Sequence, residues 1–492
     1  MSLTPTSSKE ELERKQKIEQ QQATVITDDG ASVVESQAIR ERKLTWVEAT
    51  LLLLTEYVVL AILAFPSSYL VLGMAGGVLS TLIIGVSTYY TSHVLWRYCL
   101  KHPEIRDICA RFAAFVGLAL NNWAIMGLHV NAGATAIQSI RGGTETTLFW
   151  ACMMGLIMLI PSYIREFKHM SYLGTLAAFT MFICVIITIA GHGVQPHPNY
   201  WPSLGTDVTY TVWAPKGTSF IQGMNALLNI VYTWIGHALI PSFVGDMEKP
   251  EDFPKALAVS MLFEFILFTL TGALVYFYAG QYSTAPGYGS LIAKYGKVAA
   301  GFTLPTIVIV GVLYSLVTSK AVFYQIFREG SRHRTQHTVL GWSTWFAVVT
   351  AGWIISFIIG QAIPFFNDLL ALISSLFDSW FGYILWALCW FQLYRGRYTE
   401  TTGRKIEFVV NIVILITGIY FFGAGTYASV QSIINSYHAG AVKTPFTKVD
   451  TGKLQQAVRK LHLPFAFVVQ CDVRQIQLDV AGFRIGGRKV PF

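Results

Sequence analysis

About eleven stretches of roughly 20 mostly apolar residues recur along the chain, each long enough to cross ~30 Å of hydrocarbon and each joined to the next by a short polar connection. Inside lipid a backbone has to satisfy its own N–H and C=O groups, and a helix does so within one segment. The chain therefore reads as an all-α polytopic membrane protein, built as one integrated bundle. The stretches run from about 46 to 70, 73 to 97, 110 to 139, 144 to 164, 171 to 191, 219 to 243, 255 to 280, 297 to 327, 340 to 363, 365 to 394 and 406 to 435. A hydrophobic share of 53% against 13% charged residues, with a mean hydropathy of +0.48, lies outside the range of soluble domains and supports that reading.

Residues 1–43 are rich in Lys, Glu, Gln and Ser and poor in aromatics, so they bury too little apolar area to offset ordering entropy and are expected to form a disordered cytoplasmic tail. The first apolar run begins near Trp46 and is too long for a cleavable signal, so it is expected to stay as an anchor. Residues 44–437 then form the membrane domain, and 438–492 an atypical, Arg/Lys-rich tail.

The net charge of +8 is explained by topology. With a cytoplasmic amino terminus, the inner loops carry Arg97, Lys101, Arg106, Arg111, Arg165, Lys168, Lys249, Lys255, Arg328, Arg332, Arg334, Arg395, Arg397, Arg404 and Lys405. The outer loops carry Arg141, Lys216, Lys294 and Lys297. This positive-inside asymmetry supports an odd number of spans and gives no reason to expect a nucleic-acid partner. The cysteines Cys99, Cys109, Cys152, Cys184, Cys389 and Cys471 show no spacing of a metal site or disulfide framework.

Two spans are interrupted. The first carries Glu56 and, ten residues on, Pro66, which removes an intrahelical bond near Ile62; the sixth packs Gly236, His237 and Pro241 into about two turns. Irregular backbone at membrane depth is tolerated only where protein or a water-filled cavity satisfies it. Interruptions five spans apart are what an inverted repeat of five plus five helices requires, with half-helix termini facing a substrate near the midplane.

Three segments carry a family resemblance: Glu56 to Gly77 (EYVVLAILAFPSSYLVLGMAGG), Asn229 to Pro254 (NIVYTWIGHALIPSFVGDMEKPEDFP) and Ile363 to Phe377 (IPFFNDLLALISSLF). They resemble the fungal branch of the amino acid/auxin permease family, neutral amino acid permeases within the amino acid/polyamine/organocation superfamily, over about residues 44 to 437. The third segment resembles a Pro-Phe-Phe-Gly-Asp-Leu-Leu pattern in which Asn367 replaces glycine. The resemblance implies eleven spans, ten of them forming a leucine-transporter-like core plus one extra C-terminal helix, and proton-driven amino acid uptake. It implies a plasma-membrane location, with the vacuolar membrane as the alternative, and no cofactor.

An α-amino acid needs partners for its carboxylate and its ammonium, and half-helices supply both without charged side chains. The resemblance assigns the carboxylate to the amides of Val59, Leu60, Ala61 and Ile62, and the ammonium to the carbonyls of Tyr232, Thr233 and Gly236. The side chains of Tyr232 and Trp234 shape the pocket or simply pack between helices. The small-residue pair common in the family falls here on Val59 and Ala61, and the bulkier Val59 narrows the cavity.

An ionisable residue inside a span is costly enough to be a functional candidate. Glu56 lies ten residues after Trp46, ~15 Å along a helix. Glu264 lies at a similar depth on the seventh span, His237 adjoins the sixth-span interruption, and Asp378 falls in the long tenth span at a depth the sequence leaves open. Glu56, His237 and Glu264 are the proton-coupling candidates. In related sodium-driven transporters a cation site joins the first span to hydroxyls on the eighth, which here are Ser315, Thr318 and Ser319, so Na⁺ is the second choice of coupling ion. Asn122, Asn131 and Gln138 on the third span are read as bridges between helices, and His192 and His197 as outer-loop surface residues.

The leading function is proton-coupled symport of neutral or aromatic amino acids by alternating access, spans one, two, six and seven rocking against the rest. The alternatives are a non-transporting sensor or receptor with the same pocket and a vacuolar amino acid exporter. An enzyme is disfavoured for want of paired metal ligands, a nucleophile elbow or a phosphate loop. A channel is disfavoured for want of a filter-like loop. The partners expected are a small amino acid and the lipid bilayer; the sequence leaves the oligomeric state open.

Overall fold

The structure, a computed structural model, describes residues 44–102, 112–142, 146–165, 170–201, 206–327 and 330–438. The tail at 1–43, the segment 439–492 and residues Arg106, Arg111, Lys168, Arg328, Cys109 and Cys471 lie outside the described residues.

The first expected span forms as helix α1 (Trp46–Tyr57), a 3-10 turn (Leu60–Ala64) and α2 (Phe65–Leu72). The next four are α3 (Met74–Lys101), α4 (Phe112–Arg141), α5 (Thr147–Ser162) and α6 (Met170–Val194). The sixth is α7 (Phe220–Trp234) followed by α8 (Ile240–Asp246), and the seventh to ninth are α9 (Phe253–Ala279), α10 (Ala293–Ile326) and α11 (Val339–Ala362). The tenth runs through α12 (Phe366–Ile373), a π-helical stretch (Ser374–Ile384) and α13 (Leu385–Leu393). The last is α14 (Thr402–Tyr420), a short π turn (Phe421–Gly425) and α15 (Thr426–His438).

Seven of the described helices are long and apolar enough to cross a bilayer as single rods, and the bent first pair makes an eighth. The others fall short for physical reasons. The α5 helix has only 16 residues, the sixth span is split, and α4 carries Asn122, His129, Asn131 and Gln138, all buried among neighbouring helices. Apolar side chains such as Ile83 (64% exposed), Ile160 (69%) and Ile358 (60%) point outward, a surface that lipid covers and water does not favour.

Local sequence sets the helix starts. Thr45 and Glu48 form a reciprocal capping box at α1, and Ser219 with Gln222 does the same at α7, each satisfying amide groups that a helix start leaves open. Residue Leu44 also exchanges backbone hydrogen bonds with the end of the sixth span: its N–H donates to the Asp246 carbonyl at 3.1 Å and its carbonyl accepts from Glu248 at 3.0 Å. The entry to the first span and the exit of the sixth are thus tied together.

Packing falls into two groups. The α9 helix lies along α1, α2 and α3, whereas α4 packs most extensively on α10 and α11, and α10 also on α6. The α4–α11 crossing is close because both helices offer glycine: a Cβ on Gly360 would sit 2.7 Å from the Gly127 carbonyl oxygen. Small residues that let backbones approach are the usual means of helix association in lipid. The third-span amides bridge helices as the sequence suggests. Asn122 donates to Thr318 at 2.9 Å, Asn131 donates to the Gly360 carbonyl at 2.6 Å and accepts from Gln361 at 2.8 Å, and Gln138 donates to Thr147 at 3.1 Å.

One outer-loop expectation is corrected. His192 is part of α6, not of a surface loop; it is 2% exposed and bonded to Thr188 and Ser290. His197 is exposed and stacks on Trp201 with ring centres 3.9 Å apart.

Candidate substrate and coupling site

Both interruptions form, though not at the prolines. The α1 helix ends at Tyr57, Val59 is extended (φ −123°, ψ 176°), and the axis bends by 46° before the second half. Pro66 then falls in the first turn of α2, and Pro241 in the first turn of α8. At those positions the missing N–H has no intrahelical partner to lose, so each proline starts the second half of its span instead of kinking it.

Each break exposes backbone groups. The Val59 amide donates to the Tyr57 carbonyl at 3.0 Å and the Ile62 amide to Val59 at 3.2 Å, while those of Leu60 and Ala61 find no acceptor among the described residues. In the sixth span the Tyr232 carbonyl accepts a long bond from Ile235 (3.4 Å), and the Gly236 carbonyl one from Leu239 (3.5 Å). Of the four first-span residues expected around a carboxylate, Val59 caps the 3-10 turn and Leu60, Ala61 and Ile62 lie in it, with two open donors among them.

Gly236 is where the breaks meet. A Cβ there would stand 2.8 Å from Tyr57 Cζ and 3.1 Å from Glu56 Cγ, so only glycine lets the sixth-span chain close on the end of α1. Glu56 accepts a hydrogen bond from Tyr314 of α10 at 3.4 Å. Glu56, Val59, Tyr232, Ile235, Tyr314 and Phe377 are each only part-buried, which marks a crevice running between the breaks. A compact apolar cluster built on Ala61, Ala64, Ala124, Ile125, Leu128, Leu369, Leu370 and Ile373 forms one wall, with Val59, Tyr232, Tyr314 and Phe377 packed against it.

The structure distributes the other sequence candidates around this point. The Trp234 indole packs on Phe268 (ring centres 4.9 Å apart) and beside Gly85, placing it with spans two and seven. The Thr233 hydroxyl donates back to the Asn229 carbonyl at 3.1 Å. His237 turns toward α3: its Nε2 lies 2.8 Å from the Thr91 hydroxyl and 3.2 Å from that of Ser92, and its ring stacks on Trp386. Glu264 is fully buried, and neither carboxyl oxygen has a hydrogen-bond partner among the described residues. The Tyr57 hydroxyl lies beside the Gly236 backbone and Ser92, within electrostatic range of both Glu264 and Glu56. Ser315, Thr318 and Ser319 are buried on α10; Thr318 both donates to the Tyr314 carbonyl and accepts from Asn122, so a cation there has to displace the amide.

Three participants escaped the sequence reading. Tyr314 looks like any aromatic of a long apolar helix until its hydroxyl is seen on Glu56. Asp378 has a depth the sequence leaves open, and its π-helical segment lies against the sixth span: Gly382, one turn on, abuts Ile235. Asp368 belongs to the segment that carries the family resemblance. It accepts hydrogen bonds from Ser432 (2.9 Å), Ser436 (3.0 Å) and Asn225 (3.4 Å), while Asn367 donates to Ser67 of α2 at 3.1 Å. The start of the tenth span is in this way fastened to the first, sixth and eleventh.

A helical membrane bundle with two facing helix breaks around a part-open, polar-and-apolar crevice defines the class: an integral membrane protein with a site at its centre. Residues 42–431 match a family profile described as transmembrane amino acid transporter protein, and the chain belongs to that family. It is 28% identical over 422 residues to the N amino acid transport system protein of Neurospora crassa, covering 82% of this chain and 88% of that one. It is 21% identical to the amino acid transporter AVT1C of Arabidopsis thaliana (83% and 73% covered) and 23% identical to auxin transporter-like protein 3 of the same plant (76% and 83%). Among solved structures, an inward-facing conformation of Mhp1 aligns over 81% of this chain and 91% of the other, with a TM-score of 0.48 and 12% identity.

Proposed function

We propose that the protein is a secondary active transporter that carries neutral or aromatic amino acids by proton-coupled symport. The observation that carries this reading is the meeting of the two broken spans at Gly236, Tyr57 and Glu56, beside open amides at Leu60 and Ala61. The substrate carboxylate binds the first-span amides, among Val59, Leu60, Ala61 and Ile62, and its ammonium the sixth-span carbonyls of Tyr232, Thr233 and Gly236. The apolar wall around Ala61, Ala124 and Leu128 takes the side chain, and the absence of any buried lysine or arginine among the described residues leaves nothing to compensate an acidic one.

Glu56 is the first proton site, since it faces the crevice and touches both the sixth-span break and Tyr314. Glu264 and His237 line the path on the side of spans two and seven. The loop charges support a cytoplasmic amino terminus, and the uptake role a plasma-membrane location, with the vacuolar membrane as the alternative. The tie between Leu44 and the end of the sixth span supports spans one and six moving as one unit during alternating access. Radiolabelled leucine and phenylalanine, offered separately to proteoliposomes, test the cargo. Saturable uptake that unlabelled neutral amino acids compete away supports it, and binding without uptake into the lumen refutes it.

A further inference from the structure

Three histidines are buried among the described residues: His129, His192 and His237. Two of them use the same device. Nδ1 of His129 lies 2.8 Å from the Ile125 carbonyl, and Nδ1 of His192 lies 2.7 Å from the Thr188 carbonyl, each four residues back along its helix. A carbonyl oxygen only accepts, so Nδ1 carries the proton and Nε2 of the neutral ring is a bare lone pair. In His192 that nitrogen lies 2.8 Å from the Ser290 hydroxyl, which also reaches the Gly287 carbonyl at 3.0 Å, so the residue has a partner on each side. In His129 it has no partner among the described residues, although the side chain is only 4% exposed. Buried acceptors are ordinarily paired, and those that are not call for a specific explanation.

The location of His129 gives that explanation. Its ring centre is 6.4 Å from that of Tyr314, whose hydroxyl donates to Glu56. Around Tyr314 itself gather Glu56 from the first span, Tyr232 from the sixth and Asp378 from the tenth, so His129 stands one ring away from those groups. Around Gly311 its neighbours are Met158 of α5 and Trp353 of α11, which do not titrate. No buried lysine or arginine among the described residues competes for the carboxylates. An unpaired acceptor one ring away from that cluster is free to take up a proton.

We propose that His129 is the second proton-binding group of the transport site, working as a pair with Glu56 across the Tyr314 hydroxyl. A hydronium ion gives its proton to Nε2 and leaves as water. When the site opens to the other side, the Nε2–H bond breaks and the proton returns to water. No other bond changes. The proposal rests on the proton-symport reading above.

The test compares two measurements on the same proteoliposomes of the full-length protein: counterflow of radiolabelled leucine at equal pH, and its uptake driven by an inward proton gradient. His129→Gln should keep counterflow and lose gradient-driven uptake by about tenfold or more, with a flattened pH profile. His192→Gln, which removes a satisfied structural ring, should leave the ratio of the two measurements unchanged. A gradient response of wild-type size in His129→Gln overturns the proposal. If His129→Gln fails to fold, His129→Asn decides in its place, because it is smaller and likewise cannot take up a proton. Wild-type protein without counterflow defeats the transport reading itself; wild-type counterflow without a gradient response defeats the proton step and this pair with it.

Discussion

The Tyr314 hydroxyl donates to the Glu56 carboxyl at 3.4 Å, so the acid beside the first-span break is held by a continuous helix of the opposing packing group. A link across that boundary can be made and broken as the two groups move. It gives the transport cycle a place where protonation and geometry meet.

Glu56→Gln keeps the hydrogen-bond acceptor for Tyr314 but cannot ionise. Accumulation against a concentration gradient should disappear while exchange of labelled for unlabelled amino acid persists. Paired accumulation and exchange assays check this, and full accumulation by the variant would remove Glu56 from the coupling step.

Gly236→Ala puts a methyl group 2.8 Å from Tyr57 Cζ and 3.1 Å from Glu56 Cγ. Overpacking of this kind costs about 1–3 kcal/mol. With both neighbours held by the end of α1, the breaks are pushed apart and transport should fall about tenfold, at 1.4 kcal/mol per decade. Initial uptake rates on protein that elutes as a single species measure the effect.

Val59→Gly widens the side-chain wall next to Tyr232 and Tyr314. Competition should shift toward larger side chains, tryptophan gaining on alanine by about tenfold, since a methylene in an apolar pocket is worth ~1–3 kcal/mol. An unchanged competition order would place the side-chain pocket elsewhere.

Asp368→Ala leaves Asn225, Ser432 and Ser436 without their shared acceptor, while Asp368→Asn keeps an acceptor oxygen. An unpaired buried polar group costs about 1–3 kcal/mol. The thermal unfolding midpoint should therefore drop clearly for alanine and less for asparagine. Equal midpoints for both would show that the network does not hold the tenth span.

Much of this architecture is legible from the residues. Hydropathy placed the spans to within about a turn, because lipid enforces continuous apolar helices. The prolines signalled both interrupted spans, but the breaks lie before them, at Val59 and Ile235, since Pro66 and Pro241 start helices. The π-helical stretch Ser374–Ile384 has no comparable signal. Its extra residue per turn decides where Asp378 faces, and only packing against the sixth span reveals it. The position of His129 in a long apolar helix carries no signal; its significance lies in a missing partner, which no sequence displays. His192 was misread because the flanking prolines suggested a loop, whereas α6 runs on to Val194.

Proton-driven concentration of a neutral amino acid is best tested with purified protein in sealed liposomes, acidic outside, with radiolabelled leucine in the medium. Internal label should rise above the external concentration and collapse when a protonophore is added. Uptake that only equilibrates, or that is indifferent to the protonophore, contradicts proton-coupled symport through the Glu56 site.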